Sequence, residues 1–440
     1  MNIKEIYKNL NSRKVSQNEF NRLNKNIKEN YSIIEDISFY NPNLNLFSNY
    51  FINELSFNND NKLYKIIKKK HRVSTIGYYC NAAIKNKNNN LFYKKIFIKE
   101  IPIFSVENID LYNEDFNYLI NPLSKKINET IYSLSSPFNI EILVNYLISK
   151  LKELDIVPTF CEFYGIYSLV MKKFTYDITE SPEIITNIDD IIKKNDNSIR
   201  FIKNNEEYFL EYNNIPAYLL ATESGGYDLS SIGDVFDYDM LLSMTFQIFI
   251  AIINMYQCFG IKHNDLHFGN IMLKETTKEF FYYRLKDKVF RVPLNGFVVK
   301  IIDWGRSTYN FNNFKGKSDI YNFDSECFGQ YIYEKINSKG KKPVKIDNNH
   351  WTDIVMVSYS ILHEYPSFNN TDLGRLLKKN ITSVNKEIIN TKDFSWKIYK
   401  LITNRSYNII PKNLILSKVF SKYIISEDNI GNNKIYDILL

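Results

Sequence analysis

Three side chains near the middle of the chain stand where they could do chemistry together. In the stretch IKHNDLHFGNIMLK, Ile261–Lys274, Asp265 is followed five residues later by Asn270, with His263 just ahead and an apolar run just after. A second stretch, Lys300–Ser307 (KIIDWGRS), closes a β-type run with Asp303 and sets a Gly two residues on. A carboxylate on a tight loop can orient an attacking hydroxyl, and carboxylate and amide oxygens can hold a magnesium ion against phosphates. An Asp and an Asn five apart can divide those tasks, one facing the acceptor and one the metal. The plain alternative is a turn in which Asp, Asn and His satisfy backbone groups. That alternative covers the first stretch and gives no reason for IIDWG to follow it.

Together the two stretches resemble the catalytic loop (H-R-D-L-x-x-x-N) and the metal-binding D-F-G of the protein-kinase superfamily. The resemblance implies that Asp265 orients the acceptor hydroxyl and that Asn270 and Asp303 hold magnesium, with manganese as an alternative ion, while ATP donates the phosphoryl group. Upstream, Gly77-Tyr78-Tyr79-Cys80-Asn81-Ala82-Ala83-Ile84 lies where the family has G-x-G-x-x-G-x-V, and only the first Gly is kept. On that alignment Ile84 roofs the adenine, and Lys99, fifteen positions on in Phe97-Ile98-Lys99, grips the phosphates. Losing two glycines removes close backbone approach, so the phosphate cradle should be looser than is usual in the family. Glu141, in the helically periodic run Phe138–Leu154, is the expected partner of Lys99, with Glu129 as the alternative. Ala217–Leu229 (AYLLATESGGYDL) resembles the kinase hinge. There Thr222 would sit at the back of the pocket, Glu223 and Ser224 would offer backbone groups to adenine, and Asp228 would reach the ribose.

The departures carry information too. Asn264 stands in place of the family's Arg, which pairs with an activation-segment phosphate, so independence of such phosphorylation is expected. His267 replaces the Lys that in Ser/Thr kinases steadies the transferring charge. His can donate one hydrogen bond but is mostly neutral at pH 7, which predicts a weaker or pH-sensitive clamp. No A-P-E is present, and either Ser318-Asp319-Ile320-Tyr321 or Trp351-Thr352-Asp353-Ile354 could start the central helix of the large lobe. The second is favoured because Asp353 heads an apolar run. The H-x-D-L-H-x-x-N form and I-D-W also resemble small-molecule kinases of the aminoglycoside and choline phosphotransferase type. A nucleotide-binding pseudokinase scaffold is a third reading, although Lys99, Asp265, Asn270 and Asp303 are all in place. The decayed Gly loop, HNDLH and an Asn-, Lys- and Ile-rich composition are similar to the divergent kinases of large DNA viruses. The protein-kinase reading, a serine/threonine kinase, is preferred for the hinge-like stretch and the Gly after Asp303-Trp304.

These residues need elements to position them. Val73–Tyr79, Ala83–Lys85 and Leu91–Ile101 read as strands, with a polar tip at Asn86–Asn90, and Val157–Tyr167 as another. Asp60–Lys70 reads as a helix, and Lys172–Tyr212 as a polar insertion between strands. Leu241–Ile261 carries no charge, yet Ser243, Thr245, Gln247, Asn254 and Gln257 argue for a buried helix and against a membrane span. Glu275–Asn295 predicts an inserted β-hairpin, and Ser395–Ile402 and Leu414–Ile425 further helices. The expected fold is α+β: a two-lobed protein-kinase-like fold with a small antiparallel sheet, a mainly helical large lobe, and ATP between them. The expected domains are a mainly helical N-terminal extension over 1–70, a small lobe over 71–222 with the insertion near 172–212, and a large lobe over 223–440. At 440 residues, 44% hydrophobic and 24% charged, the chain can bury two or more cores. A net charge of +7 suits an anionic ligand but does not make a nucleic-acid binder. Four scattered cysteines with no C-x-x-C pair, and an N-terminus without a signal-peptide core, fit an intracellular setting. For a viral protein that means host cytoplasm or virion. Substrate identity and oligomeric state are not encoded in any motif.

Overall fold

The computed structural model describes residues 3–47, 55–74, 76–103, 133–179, 181–194, 199–229, 237–322, 327, 335–336, 343–344, 351–382, 388, 396–403 and 409–440. The architecture is α+β, and its largest sheet, of six strands, is antiparallel. The chain divides into two compact units. One holds Leu10–Tyr146 and Glu162–Ser224; the other holds Met1–Asn9, which includes the helix α1 (Ile3–Lys8), together with Leu147–Cys161 and Gly225–Leu440.

The first unit is built on a six-stranded sheet. Short strands β1 (Ser12–Lys14) and β2 (Leu55–Phe57) pair with each other beside α2 (Gln17–Asn30), whose N-terminus is capped by the Ser16 hydroxyl accepting from Glu19 N–H. The sheet itself contains β3 (Lys62–Arg72), β4 (Gly77–Lys85), β5 (Leu91–Pro102), β6 (Phe163–Asp177), β7 (Ile199–Asn204) and β8 (Glu207–Glu223). They run in the order β3-β4-β5-β8-β6, with β7 also on β8. Helix α3 (Pro137–Glu153) contributes its residues up to Tyr146 to this unit, and the short helices α4 (Pro182–Thr186) and α5 (Ile188–Lys194) lie between β6 and β7. Leu23 and Ile27 of α2 pack into one cluster with Ile66, Cys80, Ala82, Ile84, Ile96 and Ile98. The Asn26 amide fastens the helix to β3, donating to Ile66 O at 2.9 Å and accepting from Ile66 N at 2.7 Å.

Three expectations are corrected here. Asp60–Lys70 is not helical: most of it is β3. Leu63 and Ile66 are both buried at a helix-like spacing of three because register shifts in the β3–β4 pairing interrupt the strand's period of two. Second, no turn separates Val73–Tyr79 from Ala83–Lys85 within the eight residues Gly77–Ile84. They lie within β4, and the reversal between β3 and β4 falls before them, where Val73 N–H donates to Gly77 O. Third, Ile84 does not share a face with Lys99. The β4–β5 register is unbroken from Gly77↔Lys99 to Lys85↔Leu91. Alternation therefore puts Ile84 with Ile98 on the α2 side, and Gly77 and Ala83 with Lys99 on the other. A roof over a base on the Lys99 side cannot come from Ile84.

In the second unit, α6 (Tyr238–Phe259) is long and apolar enough to cross a membrane but is 89% buried over its most apolar window. Its polar groups are spent inside the protein. Gln247 Oε1 accepts from Val299 N–H, and Asn254 bonds Asp437 O and Leu439 N–H. Asp237 caps its start, and Gly260, at φ 57°, closes it. A three-stranded sheet, β9 (Tyr227–Asp228), β10 (Ile271–Glu275) and β13 (Phe297–Ile301), has β10 in the middle. Between the last two, β11 (Phe280–Leu285) and β12 (Lys288–Pro293) form a hairpin inside the stretch Glu275–Asn295. Helices α7 (Thr352–Glu364), α8 (Asp372–Thr382) and α9 (Trp396–Thr403) share a core of Val355, Met356, Ile381 and Ile398.

Candidate active site

In the first unit the sheet carries a row of candidate residues on the face opposite α2. Lys99 pairs across from Gly77 on one side and Leu220 on the other, and Thr222 pairs with Phe97, so Gly77, Lys99 and Thr222 share that face. Gly77 is required by packing rather than by φ. A Cβ there would stand 2.5 Å from Ser74 Oγ and 2.6 Å from the Phe97 ring. Glu141, on the first half of α3, reaches Lys99: Nζ lies 2.7 Å from Oε1 and 2.9 Å from Oε2. The side chains are 18% and 8% exposed, so the pair is largely out of water and each member needs the other. Glu129, the alternative partner, lies outside the described residues. Glu223 ends β8 with its N–H donated to Glu162 O at 2.8 Å, so that N–H is not a donor for a base. Its carboxylate turns back to accept from Glu162 N–H. Ser224 follows, buried.

In the second unit the loop between α6 and β10 is held from three sides. Asp353, in the first turn of α7 and 2% exposed, accepts from His263 N–H at 2.7 Å and Asn264 N–H at 2.8 Å. Burial raises its pKa, against the opposing pull of His263 and of the two N–H donors. Asp319, the other candidate for that role, sits in a single 3-10 turn. The His263 ring accepts from Asp265 N–H through Nδ1 at 3.3 Å, and its Nε2 stands 2.8 Å from Ile302 O, which makes Nε2 the protonated nitrogen. Trp304 packs on that imidazole at 4.6 Å between centroids and is itself 1% exposed. Asn264 adopts φ 66°, a left-handed conformation that Asn tolerates, and its side chain donates to Arg306 O.

The register of β10 and β13, Ile271↔Ile301, sets Asn270 against Ile302, and Ile302 N–H donates to Asn270 O. Asp303 follows immediately, at φ 65°. Left-handed backbone at a non-glycine Asp costs on the order of 1–3 kcal/mol and is held only by surrounding structure. Asn270 donates its amide to Asp265 O at 2.8 Å, which points its Oδ1 end away from that carbonyl. The structure thus brings Asp265, His267, Asn270 and Asp303 to one loop-and-strand junction. Asp228 is on β9, paired with Met272 of β10.

Two neighbours of Asp265 have no counterpart in the motif reading. Tyr399 of α9 donates its hydroxyl to Asp265 Oδ1 at 2.6 Å, and Arg306 Nη1 lies 3.3 Å from the same oxygen. Burial first, then the Asp265 charge, pushes the Tyr399 pKa far above its usual range, so it remains a donor. The other carboxylate oxygen, Oδ2, lies 3.9 Å from His267 Nε2. His267 is pushed below its ordinary pKa, chiefly by desolvation, so it is neutral at pH 7. Arg306, directly after IDWG, carried a local signal as a cation beside a metal-type Asp; Tyr399 is separated by 134 positions and carried none.

No family model matches the chain. It is similar over part of its length to curated serine/threonine-protein kinases. A putative one from Acanthamoeba polyphaga mimivirus is 32% identical over 19% of this chain and 28% of the relative. Haspin from Bos taurus is 28% identical over 29% of this chain and 18% of the relative. A probable one from Dictyostelium discoideum is 31% identical over 20% and 9%. The chain thus spans less than a third of the length of each of these relatives.

Proposed function

We propose that the chain is a two-lobed protein kinase that transfers the γ-phosphoryl group of ATP to protein serine or threonine hydroxyls with a divalent cation. The carrying observation is the buried Asp353 carboxylate holding the loop backbone while the β10–β13 register sets Asn270 against Ile302, the residue before Asp303. Kinase-like similarity over part of the chain supports the reading, and the similarity to a mimivirus protein supports a viral source acting inside the host cell.

The donor set fits magnesium. Mg²⁺ takes oxygen ligands, keeps several waters and needs only one or two protein oxygens beside substrate phosphates. Asp303 and Asn270 Oδ1 would supply that pair, and among the described residues there is no cluster of three His, Cys, Asp or Glu that could hold the ion. When bound, the metal neutralises phosphate charge. The chain's own residues do the rest. Glu141 fixes Lys99 for the phosphates. Asp265 Oδ2 accepts the hydroxyl proton as the acceptor oxygen bonds to γ-phosphorus and the bridging bond to ADP breaks, its electron pair leaving on ADP. Asn264, in place of an Arg, is committed to Arg306 O and needs no phosphorylated partner.

The test is transfer from Mg-ATP to casein-like proteins and, in parallel, to small amino and hydroxy compounds. Label on protein, abolished in Asp303→Asn with the fold retained, is the expected result. Label on small molecules alone would make the chain a small-molecule phosphotransferase, and nucleotide binding without any transfer would make it a scaffold. Near-normal turnover by Asp303→Asn would remove the metal assignment.

A further inference from the structure

Resting on the kinase reading, we infer that the Arg306 guanidinium supplies the positive charge that position 267 does not, and that Tyr399 sets which oxygen of Asp265 meets the acceptor. Arg306 Nη1 stands 3.3 Å from Asp265 Oδ1, whereas His267 keeps its Nε2 3.9 Å from Oδ2 and its Nδ1 accepts from Gly269 N–H. Tyr399 and Arg306 converge on Oδ1 and so turn Oδ2 toward the position of an incoming hydroxyl. In that place the guanidinium lies next to the group that gains a proton, and beside the charge developing on the transferring phosphoryl. Arg306 is suited to the task because it stays charged at any working pH and its planar fork can address two oxygens at once.

The side chain can be tested apart from the fold. The carbonyl of residue 306 accepts from Asn264 Nδ2 at 3.0 Å and from the Tyr321 hydroxyl at 2.7 Å, and a side-chain substitution leaves both of those bonds in place. Arg306→Gln keeps that carbonyl. It should lower kcat about 100-fold, in the range for loss of one preorganised transition-state donor, with little change in nucleotide KM. The discriminating variant is the double one. Installing a cation by His267→Lys in the Arg306→Gln background should restore kcat by at least about tenfold. A merely structural Arg306 would not be rescued that way. Tyr399→Phe, which retains the ring packing, should lower kcat with little change in nucleotide KM while the protein stays folded.

Rescue by His267→Lys supports the inference, and its absence with both proteins folded overturns it. Asp265→Asn run beside them separates the two levels. If Asp265→Asn is inactive while Arg306→Gln equals wild type, the kinase reading stands and this inference falls. If Asp265→Asn retains wild-type transfer, or the wild type transfers nothing, the reading fails and takes the inference with it.

Discussion

The Lys99–Glu141 pair shows what a single contact contributes. With both carboxylate oxygens inside 3 Å of Nζ and little exposure, removing one partner strands a buried charge. Lys99→Met should cost about 3–5 kcal/mol of stability unless a second change neutralises Glu141. A chemical denaturation series on Lys99→Met, Glu141→Gln and the double variant would read that coupling, and additive effects would deny it. His267 gives a pH signature. Its folded pKa lies below the unfolded value near 6.5, so below that pH the unfolded state binds the extra proton and stability falls as the solution is acidified. His267→Gln should flatten that acid-side slope between pH 7 and 5; an unchanged slope would mean that the ring is not desolvated. Lys99 could be placed from sequence because its neighbours spell out a strand. Ile84 could not, because which face it takes depends on where the preceding turn falls, and the strand-like run Val73–Tyr79 conceals a reversal that closes on Gly77.

Elements carry the site through register and glycine placement. Gly226 has φ +102°, and a Cβ there would meet Leu273 O at 2.1 Å, against backbone that cannot yield without breaking the β9–β10 pairing. At Gly77 the clash is with side-chain ends of Ser74 and Phe97. Gly226→Ala should therefore cost about 3 kcal/mol or more, and Gly77→Ala about 1–3 kcal/mol. Equal melting temperatures for the two variants would contradict that ranking. Asp353→Asn is the matching test on α7: an amide facing two N–H donors leaves one unmet, for about 1–3 kcal/mol and a lowered kcat. The start of α7 was legible in an Asp heading an apolar run, and the β11–β12 hairpin in the surplus length between motifs. Strand β3 was not, since register shifts give Leu63 and Ile66 the spacing of a helix face. Tyr399 was illegible because only tertiary packing brings α9 to the catalytic-type loop.

At the scale of the whole molecule, candidate groups for phosphate and for metal reside in separate compact units of one chain. Ligand binding should register as a change in global stability. Mg-ATP at 100 times its Kd should add about 2.7 kcal/mol to the unfolding free energy, and Asp303→Asn should remove the magnesium-dependent part of that gain. A thermal shift indifferent to magnesium would favour a scaffold over an enzyme. The central claim is that Asp265 is the base of a phosphoryl transfer, and transfer of labelled γ-phosphate by wild type and Asp265→Asn, side by side, tests it most directly. Label reaching a protein acceptor with the wild type and falling by at least about a hundredfold in the variant is the predicted result. Equal labelling by the two proteins would contradict it.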